Sequence, residues 1–301
     1  MFQFLKSYML PIAMLLGALF STFFSQFSGI IPYLLFSMLF VTYCKIPFDQ
    51  IRFTRFHFYL VAIQLFGSLL VYAALVQFNP IVAQGTMICV LAPTATAAVV
   101  ITGMLGGNLA SLTAFTLLSN IVVAVFAPII FSLIGGHHEV SFFHTLFSIL
   151  REVFPMLALP ILVAFLVKKF APRIHNKIES FRHLSFYLWS VALVIVLAKT
   201  VLFIKAQLQT NLDTEIYIAV GALVVCIAQF LIGRRVGSQF ENTIAGGQGL
   251  GQKNTVLAIW MAQSYLDPIT SIGPGAYIVW QNSVNSFQIW LKHRKERENQ
   301  V

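Results

Sequence analysis

The chain has 301 residues, of which 58% are hydrophobic and only 10% are charged, and its mean hydropathy is +0.83. Soluble domains typically contain about 25% charged residues, so this composition excludes an ordinary soluble protein. The apolar stretches are continuous over about 20 residues, which predicts membrane-spanning helices and excludes the short alternating segments of a β-barrel.

The hydropathy pattern predicts ten helices, which we number in chain order. They lie near residues 5–25, 30–47, 56–78, 80–105, 109–134, 145–170, 183–205, 213–233, 239–265 and 269–291. We therefore predict an all-α integral membrane protein built from two five-helix repeats, residues 1–135 and 142–292, with a basic tail at 293–301. Because five helices precede the second repeat, it has the opposite orientation in the membrane, which is an inverted repeat.

The net charge of +9 does not indicate a nucleic-acid partner, because the basic residues are concentrated in a few loops and the tail. With ten helices, these loops lie on one side of the membrane, as the positive-inside rule requires. They contain Lys6, Lys45, Arg52, Arg55, Lys168, Lys169, Arg173, Lys177, Arg182, Arg234, Arg235, Lys292, Arg294, Lys295 and Arg297. We predict a cell inner membrane protein with both termini in the cytoplasm.

The fourth predicted helix contains a proline near its middle. Pro93 removes a backbone donor and clashes with the preceding turn, so we expect unwinding over Leu91–Thr96. Free backbone carbonyls at that depth are tolerated only inside protein or beside a water-filled cavity. Thr94 and Thr96 flank them and are predicted to contribute to a binding site.

The ninth predicted helix is rich in glycine. Each glycine costs a helix about 1 kcal/mol relative to alanine, so we predict a second break at Gly246, Gly247, Gly249 and Gly251. Interruptions in corresponding helices of the two halves indicate a transporter's binding site, and we expect the broken helices to cross. The polar residues around the second break are predicted binding groups: Gln248, Gln252, Lys253, Asn254 and Thr255.

Lys253 is the most informative of these residues, because an ammonium inside a bilayer costs about 3 kcal/mol and normally faces a partner or a cavity. Two structural alternatives remain open. In the first, Lys253 has a purely structural role and donates hydrogen bonds to carbonyls of the fourth helix. In the second, the glycines serve only close helix packing and Pro93 makes a simple kink. Other polar residues inside the predicted helices are equally consistent with interhelical hydrogen bonds, including Gln64, Thr113, Asn120, Gln281, Asn282 and Asn285.

An embedded enzyme is not predicted, because the sequence contains no zinc-protease HExxH, no phosphate-binding loop and no aspartate pair inside a helix. The three cysteines lie far apart in or beside apolar segments, without the spacing of a metal site. We expect neither a cofactor nor a bound metal.

Two stretches resemble the bile acid:sodium symporter family, whose bacterial members transport organic anions and keto acids. APTATAAVVITGMLGGN (92–108) is similar to the family's proline-containing fourth helix, and GQKNTVLA (251–258) to its ninth-helix motif G-x-Q-N-x-x-L-A. The resemblance covers nearly the whole chain in helix count and loop charge. It implies a core of helices 3–5 and 8–10, with the crossed broken helices, that rocks against a panel of helices 1, 2, 6 and 7.

The resemblance also implies where sodium ligands would stand, and most of them are replaced. Thr116 remains at a ligand position, while Lys253 replaces the glutamine before Asn254. One hydroxyl cannot coordinate a sodium ion, so the resemblance implies that the Lys253 ammonium substitutes for it. Apolar residues or glycine stand at the other family ligand positions: Ala98, Val99, Leu112 and Gly249.

We predict a secondary active transporter that carries a small organic anion by alternating access, independent of sodium and linked to protons through Lys253. The alternative is a sodium-coupled symporter of bile acid-like or keto-acid anions, with ligands from Thr94, Thr96, Gln248, Gln252 and backbone carbonyls. An alternative from another class is a membrane-embedded ligand-binding sensor or scaffold.

Overall fold

The computed structural model describes residues 12–13, 15–45, 51–95, 97–135, 142–181, 184–207 and 212–298. Its named α-helices are α1 Ser21–Ser25, α2 Ile31–Tyr43, α3 Arg55–Leu75, α4 Pro80–Leu91, α5 Ala97–Leu105, α6 Leu109–Ile134, α7 Phe142–Phe170, α8 Pro172–Ser180, α9 Leu184–Gln207, α10 Leu212–Ser238, α11 Thr243–Gly251, α12 Thr255–Tyr265 and α13 Ile272–Glu298. Short 3₁₀ turns lie at Ser28–Ile30 and Pro268–Ser271. The described residues contain no strand, and the predicted all-helical class is confirmed.

Four of the described helices are long and apolar enough to cross a bilayer: α3, α6, α7 and α10. In the most apolar 18-residue stretch of each helix, between 22% and 50% of the residues are buried. Much of each helix surface therefore faces outward. Phe66 and Leu70 of α3, for example, are exposed. Apolar side chains exposed along a helix of this length are suited to hydrocarbon and not to water.

Local sequence signals set where the helices of the fourth predicted segment begin and stop. Asn79 caps α4, since its side-chain oxygen accepts from the N–H groups of Ile81 at 2.9 Å and Val82 at 3.1 Å. Pro80 occupies the first turn, where a missing N–H costs nothing. The helix ends at Leu91, two residues before Pro93, and α5 begins only at Ala97.

The second interruption is displaced from its predicted position. The residues expected to unwind, Gly246, Gly247, Gly249 and Gly251, all lie within the regular helix α11, and the chain leaves the helix only at Gln252. The prediction of a break at these glycines is therefore wrong by a few residues. The helix remains intact through them and α12 begins at Thr255.

Close packing explains these glycines. A Cβ atom on Gly246 would overlap the carbonyl oxygen of Gly233 in α10, and one on Gly251 would overlap the ring of Phe230. A Cβ on Gly247 would lie 2.6 Å from Cγ of Arg234. The gain from this contact with α10 outweighs the weak helix propensity of glycine, as the packing alternative predicts.

Helix α8 was not predicted, because its sequence PRIHNKIES is polar and reads as a charged loop. Pro172 stands at its first turn, where proline favours a helix start, and the helix has one strongly apolar side. His175 is buried on that side, while Arg173 and Lys177 are exposed. Burial of one side of this nine-residue helix, about two and a half turns long, is therefore sufficient to order the segment.

The chain divides into two compact units. Unit 1 comprises residues 1–46, 124–212 and 259–271, and within it α2 packs against α7 and α9. Unit 2 comprises residues 47–123, 213–258 and 272–301, and within it α4 packs against α3 and α13 while α11 packs against α5. Both interruptions lie in unit 2. The predicted domain boundaries and the core and panel division stay predictions.

Unit 2 allows a paired test of the packing role. Gly246→Ala should lower the free energy of unfolding by about 1–3 kcal/mol, because its Cβ would meet backbone that cannot move aside. Gly275→Ala in α13 is the control, since a Cβ there meets nothing within 4 Å. Thermal unfolding of both variants in detergent checks this, and equal melting temperatures would contradict the packing argument.

Candidate functional site

The two interruptions pair with each other in an antiparallel bridge between Thr94 and Lys253. The N–H of Ala95 donates to the carbonyl of Gln252 at 2.9 Å, and the N–H of Asn254 donates to the carbonyl of Pro93 at 2.8 Å. Each extended break thus satisfies backbone groups of the other. Without water to bond them, unpaired groups at a broken helix cost several kcal/mol, and the pairing removes much of that cost.

The Lys253 ammonium is held by carbonyls that the α4 break exposes. Its Nζ donates to the carbonyl of Val90 at 2.8 Å and of Ala92 at 3.0 Å, and the residue is only 1% exposed. No described carboxylate forms an ion pair with it. Lys253 therefore places a titratable amino group at the paired breaks, where the described groups that bond to it are backbone carbonyls.

A polar relay from α3 satisfies the same break from another side. Gln64 donates through Nε2 to the carbonyls of Leu91 at 2.8 Å and Ala92 at 3.0 Å. Its Oε1 accepts from the Ser119 hydroxyl at 2.9 Å, and the Ser119 oxygen accepts from the Thr94 N–H at 3.3 Å. The relay fixes the position of the α4 break relative to α3 and α6.

Helix α13 supports the α12 side of the crossing. Gln281 accepts from the Lys253 N–H at 2.8 Å and donates to the Lys253 carbonyl at 3.4 Å. One turn later, Asn285 donates to Oε1 of Gln252 and accepts from Nε2 of Gln248 at 2.9 Å. Two residues of this buried network retain a polar atom without a partner in the described part of the chain, namely Gln248 Oε1 and Asn254 Nδ2.

Most of the predicted binding residues come together at the crossing, while Thr116 does not join its network. Thr94 donates to the Gly249 carbonyl at 2.7 Å, and the Thr255 N–H donates to the Lys253 carbonyl at 2.9 Å. Thr116 donates to the carbonyl of Leu112 in its own helix at 2.9 Å. Thr96 lies outside the described residues. Pro93, Gln248, Gln252, Lys253 and Asn254 all belong to the two breaks or to the last turn before the second one.

Sequence reasoning missed Ser119 and did not separate Gln64, Gln281 and Asn285 from other polar residues. A usable signal exists in α13, because Gln281 and Asn285 are four residues apart and share one helix face. Nothing comparable marks Ser119, whose partners come from α3 and the α4 break.

Apolar side chains surround the family ligand positions. Ala98, Leu112 and Phe115 form one buried apolar cluster, against which Val99 also packs. A Cβ on Gly249 would lie 2.8 Å from Cδ1 of the Phe115 ring and 3.5 Å from Leu112. Sodium is a hard cation that requires oxygen ligands. The residues at these positions do not fit a sodium ion.

Residues 32–210 match the model of the Sodium Bile acid symporter family, which is more than half of the chain. Among curated proteins, none matches this sequence. The matched range includes the α4 break, Gln64 and Ser119, whereas the α11–α12 break and Lys253 lie beyond it.

The relay predicts a difference between two Ser→Ala variants. Ser119→Ala should lower the free energy of unfolding by about 1–3 kcal/mol, because it leaves buried groups of Gln64 and Thr94 without partners. Ser283→Ala is the control, since Ser283 is exposed and bonds only within its helix. Thermal unfolding of purified protein measures both, and an Ser119→Ala protein as stable as the control would refute the relay.

Proposed function

Because the chain belongs to the Sodium Bile acid symporter family, we propose that it is a secondary active transporter of a small organic anion that works by alternating access. We further propose ten membrane spans in two inverted repeats, in the cell inner membrane with cytoplasmic termini. The paired interruptions between α4 and α5 and between α11 and α12 support this layout. The division into two units supports a moving core and panel.

One observation carries the proposed coupling: the Lys253 ammonium is bound to carbonyls of the α4 break, as a free cation would be. The residues at the family ligand positions are apolar, so the chain offers a tethered cation where its relatives are expected to bind a mobile one. Because this cation is part of the protein, it takes the place of sodium at the site without being carried across the membrane. Transport therefore does not require sodium.

The substrate anion supplies the counter-charge that Lys253 lacks. An ammonium in low dielectric surroundings is stabilised strongly by an anion nearby. Helices α5 and α12 both begin at the crossing, and their N-terminal dipole ends favour a negative group there. Lys253 holds its proton while the anion is bound and releases it when the site is empty, so anion and proton are carried together.

A sodium-coupled symporter of bile acid-like or keto-acid anions is the second candidate. The unpartnered Oε1 of Gln248 favours it, since amide and backbone oxygens near the crossing are ligands that sodium accepts. A ligand-binding sensor or scaffold is the candidate from another class. It would bind the anion without moving it, so a transport assay separates it from both transporters.

The first functional prediction concerns the coupling ion. Uptake of radiolabelled organic anions, screened as bile acids and short keto acids, should change less than about twofold when potassium or choline replaces sodium in proteoliposomes. An inwardly directed proton gradient should stimulate the same uptake, because the proton enters with the anion. A steep sodium dependence with a Hill coefficient near two would establish the symporter alternative, and binding without uptake would establish the sensor.

The second prediction concerns Lys253 itself. Lys253→Met should weaken binding of the transported anion about 30-fold or more, because a buried cationic partner is lost. Lys253→Arg should retain binding but lose stimulation by a proton gradient, since arginine does not titrate. Lys205→Met is the control, because Lys205 is exposed and its Nζ donates to Ser21 in unit 1.

Folding has to be measured beside binding, because the methionine leaves the Val90 carbonyl without its lysine donor. Melting temperatures of the three variants provide this measurement. If Lys253→Met remains folded and transports the anion as well as the parent, Lys253 is only a structural pin and the proposed coupling is wrong.

A further inference from the structure

Unit 2 contains a cavity of about 730 Å³ whose lining includes Gln288, which accepts a hydrogen bond from Gln248 at 3.4 Å and so adjoins the network of the paired breaks. Four helices form it: α5, α10, α11 and α13. Its lining residues all belong to unit 2. The volume lies within the usual range for a binding pocket, and the proposed function gives this cavity no role.

The lining is amphipathic along its length. Helix α10 contributes Ile227, Phe230, Leu231 and then Arg234, at the spacing of one helix face. Helix α13 contributes residues 284, 287, 288, 291 and 292 at the same spacing, and its last lining residue is Lys292. In both helices the cation comes last, after residues that are apolar except for Gln288. The cavity therefore joins an apolar length to a cationic end.

The lining contains two cations, Arg234 and Lys292, and no carboxylate. Arg234 is exposed, its stem packs over Gly247, and no described residue forms an ion pair with it. Lys292 donates to the carbonyl of Met104 at 2.9 Å, which holds its ammonium beside the end of α5. Two cations held at one end of an apolar cavity are complementary to an anionic headgroup.

The apolar length opens toward the surface of the molecule. Leu231 is 61% exposed and Phe287 is 58% exposed, although both line the cavity. Helix α10 is long and apolar enough to cross the bilayer, so its exposed apolar side faces lipid. A substrate anion would need an enclosed route from water. Acyl chains of the bilayer reach an open apolar groove directly.

We propose that this cavity binds an anionic phospholipid, with its phosphate group at Arg234 and Lys292 and its acyl chains along Leu231, Val284 and Phe287. The site adjoins the crossing of the broken helices through Gln288 but places its cations elsewhere, and it does not depend on which ion drives transport. Removal of one cation should weaken binding about fivefold, the effect of one basic residue at a membrane surface.

The test uses two neighbouring arginines. The full-length protein and its Arg234→Gln and Arg235→Gln variants are titrated with phosphatidylglycerol and with phosphatidylcholine, and bound lipid is counted by native mass spectrometry. Arg235 is also exposed but does not line the cavity, so its variant removes the same charge elsewhere. Phosphatidylglycerol affinity should fall about fivefold in Arg234→Gln and less than twofold in Arg235→Gln. Phosphatidylcholine binding should not change.

A second variant tests the apolar length. Val284→Trp narrows the cavity without touching a charge, and it should also reduce phosphatidylglycerol binding in protein whose melting temperature is unchanged. Equal losses in the two arginine variants would show a general surface-charge effect and overturn the proposal. We expect added cholate to displace no bound phosphatidylglycerol. Cholate binding that depends on Arg234 and excludes phosphatidylglycerol would instead make the cavity a site for amphipathic anions from solution.

Discussion

A helix that stops inside a membrane exposes carbonyl and amide groups that water cannot satisfy, and this constraint governs the whole of unit 2. The two breaks satisfy part of the need by pairing with each other through Ala95 and Asn254. Side chains satisfy the rest, with Gln64 and Lys253 donating to the end of α4. The crossing is therefore an interlocked unit in which neither interrupted helix can change its position without breaking bonds made by the other. Such an element can adopt discrete arrangements but not a continuous range of them.

Charge and rigidity have the same origin at this site. The ammonium of Lys253 is tolerated because the break supplies carbonyl oxygens, and the break is tolerated because the ammonium supplies donors. The side-chain amides of Gln281 and Asn285 bond to Lys253 and Gln252 at the break between α11 and α12. A group that enters beside Lys253 must compete with backbone oxygens, which favours a strong acceptor such as a carboxylate over a neutral ligand.

The sequence predicted the first break closely, because proline acts through its own ring and missing N–H and needs no partner. It misplaced the second break, because a glycine's helix propensity is about 1 kcal/mol and contact with α10 at Gly233 outweighs it. Lys253 was recognisable from the cost of a buried charge, but its direction toward Val90 depends on how two distant segments meet. For the same reason Ser119 could not be found, since a serine in an apolar helix has no local signature.

The Phe115 ring beneath Gly249 limits which residues position 249 accepts. A side chain at position 249 would meet that ring at its first carbon atom, so a larger residue does not fit there unless position 115 becomes smaller first. A smaller residue at 115 alone would leave a gap in the apolar cluster with Ala98 and Leu112, which is itself unfavourable. Each intermediate is worse than either end point. The two positions are therefore epistatic, and a larger residue at 249 is accommodated only together with a smaller one at 115.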